Sequence, residues 1–513
     1  MKSDDREAFG AGIVHIVGAG PGDAGLITVR GRELIERADA IVFDSSVSRA
    51  LLPPGARESG HPALYFVGRR RNESKRASQR QVQELLVGLA RSGKRVVRLT
   101  GGDPFVFGRG GDEAQALYDA SVPFEVVPGI TAGVAALSYA GIPVTHRGLG
   151  AAVTFVSGKE VPGRGATQTD WPALAKSGGT IVIYMGVKTI AAISEALLEG
   201  GMPEEVPAAA VERGTRKTQR TVTATLGDLA ESVRIAGLTG PTILVVGWPV
   251  ILREEMSWFE NRPLFGRRIV IADPQSQTAV IAERLRDLGA EVLHVPERLV
   301  MRLDLTPLRE AISRLADYQW LLFATRDAVA IFWEQLLGSG RDARALAGLS
   351  VAAAGADAAA ALLERGITID VIPPGFTEDS LIEKLGERDD IDGSSVLLVS
   401  PEKFDSGLVV YLAERGAQVA GIDAYRSVAD EAAVRRFRRS LARVRADAVV
   451  FLSTPGVRSY VVAAGQDNAE HTSAASIGGR VTEELTAAGL QVLCEASEPT
   501  SDSLVAAIER SLS

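Results

Sequence analysis

The sequence predicts an α/β protein of several compact units, and three observations predict it. Short Val/Ile-rich runs alternate with longer segments of helical character, glycine-rich turns follow several of those runs directly, and the C-terminal half repeats itself. A chain of 513 residues with 46% hydrophobic content can bury more than one core, since domains usually run about 100 to 200 residues.

From Ala11 to about Val250 the runs are IVHIVG, AIVFD, RVVRLT, AAVTFVSG, TIVIYMG and TILVVG. They lack polar alternation, so a largely parallel sheet covered on both faces by helices is expected. Ligands belong where such strands end in glycine-rich loops. The segment EEMSWFENRPLFGRR then breaks the rhythm with Pro, Gly, charges and aromatics, and a new strand, IVIAD, begins at Ile269. A linker is expected at 255–265, between domains at 11–254 and 266–513.

In the second half, GRRIVIADPQSQTAVIAERLRDLGAEVLHVP reads like GSSVLLVSPEKFDSGLVVYLAERGAQVAGIDAY, and QWLLFATRDAV like DAVVFLSTPGV. VAAAGADAAAALLERGITIDVIPPGFTEDSLIEKL likewise matches SAASIGGRVTEELTAAGLQVLCEASEPTSDSLVAAIER. A period of roughly 125 residues is too long for a solenoid. Two similar α/β domains facing one another across a cleft are expected, with the cleft as binding site.

Composition excludes other classes. The single Cys494 rules out an internal disulfide framework and any cysteine-ligated metal cluster, which suits the cytoplasm. Acidic residues open the chain where a secretory signal would be apolar, and no stretch approaches the roughly 18 uninterrupted apolar residues of a spanning helix, so a soluble protein is expected. A net charge of -8 argues against a nucleic-acid surface.

The first glycine loop, IVHIVGAGPGDAGLIT, places Gly18, Gly20 and Gly22 where the backbone must turn tightly and approach a ligand. One alternative is a dinucleotide fingerprint, with Asp44 as the ribose-binding acid of an NAD-dependent oxidoreductase. Against it, the third fingerprint glycine is Asp23 and Pro21 interrupts the turn. Two further loops, LTGGDPFVFGRGGDEA and VVPGITAGVAALSYAGIPVTHR, follow the next strands.

GAGPGD, GGDPFVFGRGGDE, VPGITAG, YAGIPVTHR, VTFVSG, VIYMG, VERGT and Gln219–Arg220 stand in the order seen in uroporphyrinogen-III C-methyltransferases, which the chain resembles over about 11–250. The resemblance implies the two-subdomain tetrapyrrole methylase fold, a homodimer through this half, and an S-adenosylmethionine site without metal. The site residues it implies are Pro21, Gly101, Gly102, Asp103, Val106, Thr131, Ala132, Met185 and Gly214. Backbone amides and Asp103 suit the polar parts of such a ligand, and Val106 and Met185 its adenine. Asp44 matches the family's proton acceptor, and methylating a pyrrole carbon does require loss of a proton.

Arg69 stands where the family has a proton-donating lysine, and Thr100 where a lysine usually precedes GGDP. A guanidinium, with a pKa above about 12, binds carboxylates well and donates protons poorly. The loop GRRRNESKRASQR gathers Arg69, Arg70, Arg71, Lys75, Arg76 and Arg80, and uroporphyrinogen carries carboxylates on every ring. Arg70 and Arg71, with His146 and Arg147, are therefore candidate substrate contacts, the alternative being a solvated surface loop.

From about Phe265 to Ser513 the motifs GRRIVIADP, FATRDAV, FLSTPGV, DAYRS, SIGG and EPTSDSLVAAI resemble uroporphyrinogen-III synthases, and the WFENRPLFG junction resembles fusions of the two enzymes. The resemblance implies closure of hydroxymethylbilane with one ring inverted, a reaction that rests on folding the substrate and on modest acid help to the leaving hydroxyl. Tyr425 is the candidate acid and Ser453 a candidate carboxylate contact. The family's GPTT turn reads Gly478, Gly479, Arg480, Val481, with Arg480 offering a charge where hydroxyls are lost, and the first repeat has Ala358 in place of the threonine.

Together these readings predict an enzyme that cyclises hydroxymethylbilane and transfers two methyl groups to give precorrin-2 for siroheme or cobalamin synthesis. The alternative is an active methylase carrying a non-catalytic tetrapyrrole-binding or regulatory C-terminal module.

Overall fold

The computed structural model describes residues 12–53, 61–68, 77–159, 169–273, 275–296, 298–371, 378–402, 407–469 and 471–513. The chain forms two compact units, the first running through Arg267 and taking in 287–291, the second holding the remainder.

The first unit has two five-stranded sheets. One comprises β1 (Ile13–Gly18), β2 (Ala40–Phe43), β3 (Ala63–Phe66), β4 (Arg95–Thr100) and β5 (Phe124–Val127), in the order β3-β2-β4-β1-β5, every pairing parallel. Val14, Ile16 and Val17 of β1 are fully buried, as a central parallel strand covered on both faces requires. In register, Gly18 lies beside Thr100 and Val17 beside Val127, so the three glycine loops leave the same edge of the sheet together.

Those loops interlock. Gly20 N donates to Gly102 O at 3.2 Å and Gly102 N to Gly20 O at 2.7 Å. A Cβ on Gly129 would stand 2.3 Å from Gly102 O, and one on Gly18 2.5 Å from Gly129 N. Only glycine permits so close an approach of three backbones.

The second sheet comprises β6 (Val153–Ser157), β7 (Thr180–Tyr184), β8 (Pro207–Glu212), β9 (Arg220–Thr225) and β10 (Thr242–Val246), in the order β6-β7-β10-β8-β9. It corrects the expectation of a parallel arrangement, because β10 runs antiparallel to both neighbours and β9 antiparallel to β8. Unbroken apolar runs report burial on both faces; they carry no information on strand direction.

The segment expected as a linker is packed into the first unit. Phe259 and Leu264 are buried, and Phe259 stacks edge-on with Tyr139, Trp258 and Phe265. Arg253 pairs with Glu260, and Trp258 Nε1 donates to Ser138 O at 3.0 Å. Aromatics that look exposed in sequence are here the anchors of a strap.

The second unit has two further sheets. One joins β11 (Arg268–Ile271), β12 (Glu291–His294), β18 (Ala448–Phe451), β19 (Ser473–Ser476) and β20 (Gln491–Glu495) in the order β12-β11-β18-β19-β20. The other joins β13 (Arg298–Arg302), β14 (Trp320–Phe323), β15 (Ser350–Ala353), β16 (Ser395–Pro401) and β17 (Gln418–Ala429) in the order β13-β17-β16-β14-β15. The repeat is real, but its copies do not fold separately. Each sheet takes its first two strands from one copy and the following strands from the other, as Ile269 beside Ala448 and Trp320 beside Val396 show. Among the described residues no helix is long and apolar enough to cross a membrane.

Candidate active site

A cavity of about 830 Å³ opens in the first unit, and all nine residues expected to hold the methyl donor line it. The interlocked loops bring Pro21, Gly101, Gly102, Asp103, Val106, Thr131 and Ala132 from the first sheet; Met185 follows β7 and Gly214 follows β8. Gly102 has φ +67, and a Cβ there would meet nothing closer than Ala132 N at 3.8 Å. A side chain at 102 would therefore project into the open cavity beside the start of α1 (Ala132–Tyr139). Tyr184 fixes that end of α1: its hydroxyl accepts from Gly133 N at 2.7 Å and is hydrogen-bonded to Thr131 Oγ1 at 2.7 Å. Burial pushes the Tyr184 phenol above its ordinary range.

Asp103 acts first as a staple. Its Oδ1 accepts from Phe105 N at 2.8 Å and its Oδ2 from Gly129 N at 3.1 Å, which ties the second loop to the third.

Asp44 itself does not line the cavity; its neighbours Ser45 and Ser46 do. The Asp44 side chain accepts from Ser46 N at 2.9 Å and from the Ser46 hydroxyl, and Ser46 Oγ accepts from Gly101 N at 3.1 Å. Arg98, buried on β4, reaches Asp44 at 3.4 Å and Glu113 at 3.0 Å. Burial outweighs the guanidinium and holds the Glu113 carboxyl above its usual range.

Two residues beyond β8 grip the first subdomain. Thr215 Oγ1 accepts from Asp23 N at 3.1 Å, and the Arg216 guanidinium donates to Ser46 O at 3.2 Å. Thr215 has φ +69, unusual for a β-branched side chain, and Gln219 Oε1 accepts from its N–H at 2.7 Å. Asp23 also accepts from the Tyr139 hydroxyl at 2.9 Å, and burial together with that carboxylate pushes the phenol up to about 12. Ser46, Tyr184, Arg213 and Arg216 were not singled out in the sequence, where they stand only beside named residues: Ser46 after Asp44, Tyr184 and Arg213 within VIYMG and VERGT, and Arg216 just past the latter.

The remaining expected contacts lie elsewhere. Arg69, Arg70 and Arg71 fall outside the described residues. His146 and Arg147 are exposed on a tight turn, where His146 pairs with Gly150, and neither reaches the cavity.

The second unit has a cleft of about 470 Å³ to which both sheets contribute, lined among others by Asp273, Asp327, Asp357, Asp430, Arg326 and Ser453. Ser453 caps α2 (Thr454–Ala464), its hydroxyl accepting from Gly456 N at 3.1 Å and donating to Asp273. Asp273 Oδ2 accepts from Leu452 N at 2.7 Å, and burial raises its carboxyl. Arg326 is paired with Glu364 at 2.8 Å, and Arg458 with Glu484 at 2.9 Å. Two expected residues stand away from this cleft. Tyr425 lies in the core, 3% exposed and off the cleft, its hydroxyl 2.7 Å from Thr325 Oγ1; burial raises its pKa, which makes it a weaker acid. Arg480 is exposed in the first turn of α3 (Gly479–Ala487) and does not line the cleft.

Residues 14–230 match the tetrapyrrole (corrin/porphyrin) methylases, and residues 279–506 match uroporphyrinogen-III synthase HemD. The chain is 33% identical over 497 residues to porphyrin biosynthesis protein HemD of Ruminiclostridium josui, covering 96% of this chain and 97% of that one. It is 37% identical over 366 residues to uroporphyrinogen-III C-methyltransferase of Bacillus subtilis (strain 168), covering 71% and 74%. Siroheme synthase of Nitrosospira multiformis is 45% identical over 249 residues, 48% of this chain and 52% of that one.

Proposed function

The chain belongs to the family in which a tetrapyrrole methylase is joined to a uroporphyrinogen-III synthase, and on that premise we propose that it closes hydroxymethylbilane to uroporphyrinogen III and methylates the product twice, giving precorrin-2. In this reading residues 11–254 methylate and 266–513 cyclise, with 255–265 joining them along the chain. The likeness to siroheme synthases favours the siroheme branch.

The observation that carries the methylating half is the convergence on one cavity of the nine residues that the resemblance implies. Its volume, its glycine-walled floor and the open space beyond Gly102 fit S-adenosylmethionine, whose sulfonium supplies the methyl group. The chain's own residues bind and orient that ligand: Asp103 holds two loops in register, Tyr184 fixes the start of α1, and Thr215 with Arg216 hold the subdomains at a set distance. Asp44, one hydroxyl away from Gly101 through Ser46, is the group we assign to accept the pyrrole proton.

The cyclising half rests on family membership and on its cleft. That cleft also supports a second reading. Four aspartates line it, and its arginines 326 and 458 are already paired with glutamates, a poor field for a polycarboxylate. A non-catalytic regulatory module is then the alternative. Supplying purified protein with hydroxymethylbilane, with and without S-adenosylmethionine, decides between them. Isomer III without the methyl donor supports the synthase; isomer I alone, the product of spontaneous closure, removes it.

A further inference from the structure

Around the methylase cavity two features reach beyond the expected methyl-donor contacts. The first is backbone strain. Among the described residues five that are not glycine have positive φ, and three of them, Phe107 (+48), Met185 (+55) and Arg213 (+51), stand at this cavity. Left-handed backbone is costly for such residues and persists where the surrounding structure has a use for the side chain it presents.

The second is charge. Lys188 and Arg213 line the cavity and are exposed, and neither side chain makes a hydrogen bond or close ion pair with another described residue. Arg213 feels the field of the buried Glu212 carboxylate, whose Oε1 accepts from Thr239 N at 2.8 Å and Gly240 N at 2.6 Å and whose Oε2 lies 3.8 Å from Arg220. Phe107 lines the same cavity and is 43% exposed, its ring resting on Tyr184 at 4.7 Å between centroids.

A substrate of four linked pyrroles is flat and apolar across its faces and anionic around its rim. With the methyl donor inside, about 830 Å³ cannot also enclose it, so it must lie at the mouth. We propose that Phe107 is a platform for one face of the macrocycle and that Lys188 and Arg213 hold two of its peripheral carboxylates, which makes them substrate-selecting residues of the methylase. This rests on the methylation reading above.

The test uses the full-length protein with K188A, R213A, R213K, R213G and the double variant K188A/R213A. The readouts are KM for uroporphyrinogen III at two salt concentrations, kcat, and the dissociation constant of S-adenosylhomocysteine by calorimetry. Each lost cation is expected to raise KM about three- to tenfold, and the double variant by roughly the product of the two. The KM of the double variant becomes less sensitive to salt, while S-adenosylhomocysteine affinity stays within about twofold. R213K recovers part of the loss, and R213G, which relieves the backbone, follows R213A.

An unchanged KM in the double variant overturns the proposal. So does an S-adenosylhomocysteine affinity that falls in step with KM, which gives the cations to the methyl donor's own carboxylate. Wild-type KM in R213G also overturns it, by reducing Arg213 to its backbone. A wild-type protein that binds S-adenosylhomocysteine but methylates no uroporphyrinogen removes the methylation reading itself, and this inference with it. Active wild type with indifferent variants removes this inference alone.

Discussion

Arg98 lies 3.4 Å from Asp44 with both side chains buried, and the same guanidinium holds Glu113 at 3.0 Å. Asp44 is thereby held facing Ser46, whose hydroxyl also receives Gly101 N. Asp44→Asn should leave S-adenosylhomocysteine binding nearly intact and lower methylation by roughly a hundredfold or more, the usual span for a positioned acid or base. Single-turnover methylation with calorimetry in parallel checks it; normal turnover in the variant takes Asp44 out of the chemistry.

Gly102→Val should abolish binding of the methyl donor while the second unit keeps its activity. The new side chain would enter the cavity, and φ +67 is unfavourable for a branched residue. Retained affinity would mean that the ligand sits away from the second glycine loop.

Tyr139→Phe should loosen the first loop, since the hydroxyl donates to Asp23. The pH dependence has a definite sign. The phenol is raised from 10.0 to about 12 in the folded protein, so its contribution is complete below pH 10 and is lost as pH rises from 10 toward 12. Unfolding curves for wild type and Tyr139→Phe should differ by a constant amount below pH 10 and converge above it. Parallel curves across that window would count against the buried hydrogen bond.

In the second unit, Tyr425→Phe should cost about 1 kcal/mol of stability through its lost hydrogen bond to Thr325, with turnover of hydroxymethylbilane preserved. Arg480→Ala, at an exposed position off the cleft, should change the apparent substrate constant by less than about twofold. Ser453→Ala should do more than either, because it uncaps α2 and leaves buried Asp273 short of a donor. Measured kcat and KM for the three variants check this ordering; a collapse of kcat in Tyr425→Phe would restore that phenol as the acid.

How far the sequence could be read follows from what each signal encodes. The glycine loops were legible because Gly18, Gly102 and Gly129 answer a backbone requirement that no other residue meets. The direction of β10 was not, because Thr242–Val246 is buried on both faces whichever way it runs. Trp258 and Phe259 looked like linker residues since their partners, Ser138 and Tyr139, lie far back in the chain. Tyr425 and Arg480 stand on motifs that survive in order, but whether a side chain faces the cleft or the core is set by strand register and helix turn, which motif order does not report. Arg213 was overlooked because its signal is conformational: φ +51 has no signature in the letters VERGT.

The exchange of strands between the two repeat copies bears on how the second unit is made. On the ribosome, β11 emerges early, yet the strand it pairs with, β18, is synthesised only after the whole of the other sheet. The intervening sheet can close first, while β11 and β12 wait with unpaired edges, the kind of surface that aggregates or recruits chaperones. A cut between the copies would likewise yield no autonomous domain. The two fragments would each supply strands to both sheets and regain structure only by complementing one another, so limited proteolysis there should nick the chain without releasing a folded piece.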